Sequence, residues 1–158
     1  SRPTSTISLP RCRLPGLLPL VEAWRARLRT AEAMAELVRA RHMVRHRRFA
    51  SWRARLGSAE PVDALAPNEE ALRLASHLAR HVDRAAWRMP GEWLCLPRAI
   101  ALSRMLRSRR VPHALHIAAR PAAARTGADD LHAWIDVGPV RVIGDLPGPW
   151  AVIYRAFA

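Results

Sequence analysis

Lysine is absent from this 158-residue chain: all 26 basic side chains are arginine, set against 13 acidic ones, for a formal net charge of +13. Such a surface attracts anions. Because the arginines are spread over the whole length, the charge defines no nucleic-acid stripe, and an acidic peptide suits it equally well. Cysteine is nearly absent. Cys12 and Cys95 are too few for the disulfide framework of a small secreted protein, which points to a reducing cytoplasm. Long apolar runs are missing too. Ser1 to Ile7 lacks the core of a signal peptide, and Leu14 to Val21 is short and broken by proline, so no membrane span is expected. No phosphate-binding loop occurs, which excludes a nucleotide site of that kind.

What is present is the balance of a folded domain: 50% hydrophobic and 25% charged residues, in a length that buries a core unaided. The expected organisation is a single domain with a loose segment over 1–13, a helical region over 14–66 and a catalytic core over 67–158. Leu17, Leu20, Val21, Trp24 and Leu28, then Met34, Leu37, Val38 and Met43, recur at spacings of three and four. That pattern predicts two amphipathic helices between Leu17 and Trp52, with Arg25, Arg29, Arg39, Arg41, Arg45, Arg47 and Arg48 on their other faces. Gly57 to Pro67 reads as a loop. A helix is predicted from Asn68, with Glu69 and Glu70 in its first turn, to Trp87. Another runs from Cys95 to about Arg110 and buries Ala99, Leu102, Met105 and Leu106, with Pro97 in its first turn. Four short β-runs follow, over 113–119, 131–137, 140–145 and 151–157. The expected fold class is α+β, helices first and antiparallel sheet second.

Two features carry chemistry. Cys95, in Trp93-Leu-Cys-Leu-Pro-Arg98, stands at a helix mouth, where the dipole favours a thiolate and unpaired N–H groups can receive an oxyanion. Placement alone leaves a buried core cysteine as the alternative. The second feature is a predicted hairpin, 132–137 and 140–145 around Gly138-Pro139. Symmetric pairing sets Val137 opposite Val140 and, counting outward, His132 opposite Asp145, within reach of an imidazole–carboxylate bond if no bulge intervenes. Asp136 shares the face of His132 but lies four residues along the strand, too far to orient that ring. Together Cys95, His132 and Asp145 fit a nucleophile, its base and an orienting carboxylate.

The stretch Leu94-Cys-Leu-Pro-Arg to Val-Pro-His113, with His132-Ala-Trp and Ile143-Gly-Asp145, resembles the B2 proteins of lasso-peptide biosynthesis, a branch of the transglutaminase-like fold. The resemblance is closest over residues 69–158. It implies a transglutaminase-like or papain-like core, a Cys95–His132–Asp145 triad, no cofactor, and removal of a leader from a ribosomal precursor peptide. It also implies partners: the precursor, a separate leader-binding protein (the B1 protein, or RiPP recognition element), and a downstream cyclase that would account for any ATP use. With no room before residue 14 for a recognition domain, the stand-alone form is expected. Charge reversal at Arg39, Arg41 and Arg45 is then expected to weaken partner binding. Trp93 and Trp134 flank the site as candidate substrate contacts, and 120–130 reads as a loop able to close over a peptide.

Two other readings stay open: a transglutaminase-like acyl transferase, which passes the same thioester to an amine, and a basic nucleic-acid module. The pairs His42/His46 and His77/His81 have helical spacing but lack an acidic or cysteine ligand beside them. They are expected to face solvent without binding metal.

Overall fold

The computed structural model describes residues 17–60, 68–125, 127 and 130–158. The segment 1–13, with Cys12, and most of the loop expected over 57–67 lie outside these. The order of elements is α1 (Leu17–His46), α2 (Phe49–Trp52), a 3-10 turn (Arg53–Arg55), α3 (Glu69–Arg88), α4 (Cys95–Arg107), β1 (Ala114–Ala119), a 3-10 turn (Ala122–Ala124), β2 (Leu131–Val137), β3 (Val140–Ile143) and β4 (Ala151–Phe157). Helices precede an antiparallel sheet of order β3-β2-β1-β4, which is an α+β fold.

Where two N-terminal helices were expected there is one continuous helix of 30 residues. Its buried face is Thr30, Ala33, Leu37 and Ala40, so Leu20, Val21, Trp24 and Leu28, expected in the core, are exposed. The helix α3 starts where Asn68 accepts a hydrogen bond from the Ala71 N–H at 2.8 Å, an N-cap that satisfies one orphan donor. Ala75, Leu78, Val82 and Ala85 form its buried stripe. Arg109 makes a paired contact to Glu32, and Arg104 contacts Glu36, so the charged edges of α1 and α4 are matched.

Strand alternation divides the sheet into two faces. Leu115 and Ile117 of β1, Ala133, Ile135 and Val137 of β2, and Ala156 of β4 join Ile100, Leu102, Met105 and Leu106 of α4 in one core cluster. Each such aliphatic side chain stabilises the fold by roughly 1.5–3 kcal/mol on burial. His132, Trp134, Asp136 and His116 occupy the opposite face, outside that cluster. Both edge strands carry an irregularity, one between β2 and β3 and one between β1 and β4, a device that blunts sheet edges.

The histidines of α3 correct another expectation. His81 is buried rather than solvent-facing: its Nδ1 lies 2.8 Å from the Thr30 hydroxyl and its Nε2 3.1 Å from Nε2 of His77. Burial first, then the neighbouring His77 and arginine charges, hold the His81 pKa down to about 4. Arg29 lies 2.7 Å from Nε2 of His77, so a positive charge already stands where a metal ion would sit.

Candidate active site

Cys95 is the first residue of α4, and Leu94 at the cap makes no side-chain hydrogen bond to the turn. Arg98 N–H bonds back to Leu94, and Pro97 has no N–H to satisfy. The N–H groups of Cys95 and Leu96 therefore donate to no protein acceptor among the described residues. They stand beside the thiol, which is partly exposed.

The thiol meets β2 at its first peptide bond: Sγ lies 3.8 Å from the Leu131 carbonyl, the bond that leads into His132. Cys95, His132, Gly144, Asp145, Leu146 and Trp150 line one cleft of about 670 Å³, together with Asp83, Arg98, Arg120 and Arg141. Cys95 and His132 share this cleft without a hydrogen bond between them.

His132 is buried and held from three sides. Its Nε2 lies 2.7 Å from the Gly144 carbonyl, which can only accept, so Nε2 carries the proton and Nδ1 is the basic nitrogen. Trp134 stacks at 5.8 Å between centroids and Trp150 lies tilted at 5.0 Å. Arg120 covers the Trp150 ring at 4.6 Å.

The hairpin register differs from the simple count. Val137 pairs with Val140 and Asp136 with Arg141, but Ile135 pairs with Ile143, because a bulge inserts one residue. The frame moves by one, so Asp145 no longer falls opposite His132. Moreover β3 ends at Ile143, and Asp145 is exposed at the cleft without a hydrogen bond to the ring. The contact expected from its carboxylate is made by the carbonyl one residue earlier. Gly144 adopts φ +81°, and a Cβ there would lie 2.5 Å from the Ala133 carbonyl oxygen and 2.8 Å from Cβ of Trp134. Only glycine fits this turn.

Neither tryptophan singled out beforehand lines the cleft. Trp93 packs under Arg41 at 4.9 Å. Trp134 lies nearly parallel to His116 at 5.0 Å, and its Nε1–H donates to Asp136 at 2.9 Å. Asp136 also faces His116 Nε2 at 3.1 Å and Arg141, while Arg155 Nε donates to His116 Nδ1. Burial outweighs the pull of Asp136 and holds His116 below the ordinary imidazole range. Asp136 makes no contact with His132; it holds the indole that stacks on the imidazole. Gly144 and Trp150 were missed: Ile-Gly-Asp gave the glycine no distinct signal, and nothing in Pro-Gly-Pro-Trp marks its indole as a neighbour of His132.

The site is thus a thiol at a helix N-terminus, facing an antiparallel sheet whose second strand supplies a histidine. The sequence model of the transglutaminase-like superfamily matches residues 34–154, and the chain belongs to that superfamily. The match begins inside α1, ahead of residue 67. No curated protein and no solved structure matches the chain. Among the described residues no helix is long and apolar enough to cross a membrane.

Proposed function

We propose that this chain is a cysteine peptidase that removes the leader from a ribosomally made lasso-peptide precursor, with Cys95 as nucleophile and His132 as base. The observation that carries the reading is the shared cleft: thiol and imidazole open on the same space, and the thiol stands on the first residue of a helix whose N-terminus has no side-chain cap. In this reading the Cys95 thiolate attacks the carbonyl carbon of the last leader residue, and the N–H groups of Cys95 and Leu96 receive the oxyanion. His132, having taken the thiol proton on Nδ1, delivers it to the departing amine. Water then attacks the thioester, gives a proton back to His132 and releases the leader as its carboxylate.

The Gly144 carbonyl orients the imidazole, and Asp145 stands beside it at the cleft as the triad carboxylate of the resemblance. The finer assignment rests on Leu94-Cys-Leu-Pro-Arg98, His132-Ala-Trp134 and Ile143-Gly-Asp145. A separate leader-binding protein presents the precursor, and a cyclase consumes the freed core. A reducing cytoplasm keeps the thiol available.

The test incubates precursor, leader-binding protein and enzyme and weighs the products. Cleavage at the leader–core junction, lost in Cys95→Ala, is expected. Cleavage that survives Cys95→Ala overturns the assignment, and a leader heavier by an amine acceptor would make the enzyme a transferase instead.

A further inference from the structure

The long helix α1 is apolar on two opposite sides. Its inner side, Thr30, Ala33, Leu37 and Ala40, is buried against the rest of the fold. On the other side Val21, Trp24, Leu28, Ala31, Ala35 and Val38 are all exposed, Trp24 by 60%, Leu28 by 53% and Val38 by 50%. These six recur at intervals of 3, 4, 3, 4 and 3, the heptad spacing of a helix that packs along another helix. At 1.5 Å per residue the stripe is about 25 Å long. A helix apolar on both sides is ordinarily covered on both.

We propose that this outer stripe docks an acidic amphipathic helix of a partner protein. Three observations select that occupant. The strict 3.5-residue period makes a narrow seam, and Ala31 and Ala35 let a second helix approach closely, whereas a lipid surface asks for a broad bulky face. Arg25 and Arg27 are exposed beside the seam, while Glu36 is engaged by Arg39 and Glu32 by Arg109, so two copies of this chain would set arginine against arginine. Partner glutamates at the flanking positions would pair with them. Four of its six residues also precede the family match, which begins at residue 34. It is also separate from the cleft, and no residue of the stripe lines it.

The test uses a designed 21-residue peptide with leucine at the heptad core and glutamate at the flanks, a scrambled peptide of the same composition, and a lysine-flanked version. Binding to the full chain is followed by Trp emission and sedimentation, with anionic phospholipid vesicles as a fourth probe. The acidic heptad peptide should bind at least about tenfold more tightly than the scramble. Trp24→Glu and Leu28→Glu, each on an exposed face, should each remove that preference while the rate of Cys95 alkylation stays unchanged. Equal binding of heptad and scramble would overturn the proposal, as would preferred binding to vesicles. A dimer of the free chain that Trp24→Glu dissociates would overturn it in favour of a second copy.

Discussion

Strand β2 presents two faces that are held by different physics. Ala133, Ile135 and Val137 point into the aliphatic core, where contacts are many, undirected and tolerant of exchange at similar volume. His132, Trp134 and Asp136 point the other way, and each side chain there has a named partner: Gly144 for the imidazole, Asp136 for the indole, His116 and Arg141 for the carboxylate. Alternate residues of one strand thus serve stability and direction. Substitutions on the inner face should change how much protein is folded, and those on the outer face how well the folded protein reacts.

The largest expected effect is on the outer face. His132→Gln should lower kcat/KM on the precursor by about 10³-fold, since a positioned acid–base group contributes roughly 10²–10⁴. Urea unfolding should show a much smaller change, and an equal loss in both would merge the two faces. On the inner face, Ile135→Ala should cost about 2–5 kcal/mol of stability in urea. The alkylation rate of Cys95 in the folded fraction should stay within about twofold. Gly144→Ala, which drives a Cβ into the Ala133 carbonyl, should reduce turnover by about 10- to 100-fold through the displaced acceptor.

A titration sharpens the comparison away from the sheet. His81 is held near pKa 4 in the fold against about 6.5 unfolded, so the unfolded chain binds more protons between those values. Stability is full above pH 6.5 and should fall as pH drops toward 4, by up to roughly 3 kcal/mol from this group. His81→Gln should flatten that part of the urea midpoint curve. The smallest effect is expected for Asp145→Asn, less than about tenfold in turnover, because the ring already has its acceptor. A loss near that of His132→Gln would return the orienting role to the carboxylate.

Much of this was legible in advance. The α+β order, the start of α3 at Asn68 and the place of Cys95 at the mouth of α4 follow from caps, proline and periodicity, all local signals. Two things were not. The bulge that moves Asp145 out of line leaves Val142 as an extra residue between the pairs made by Arg141 and Ile143, and alternating hydrophobicity cannot reveal an inserted residue. The outer stripe of α1 was read as core because three-and-four spacing marks a helix face without saying what covers it. Trp150 reaches His132 only through the course of the 144–150 loop, which no local pattern specifies.

The central claim, that Cys95 and His132 act as a pair in one cleft, can be tested without knowing the substrate. In a Cys12→Ser background, iodoacetamide should alkylate Cys95 at pH 7 at least about tenfold faster in the parent than in His132→Gln. The difference should narrow as rising pH ionises the thiol in both. Equal rates at pH 7 in two folded proteins would contradict the account.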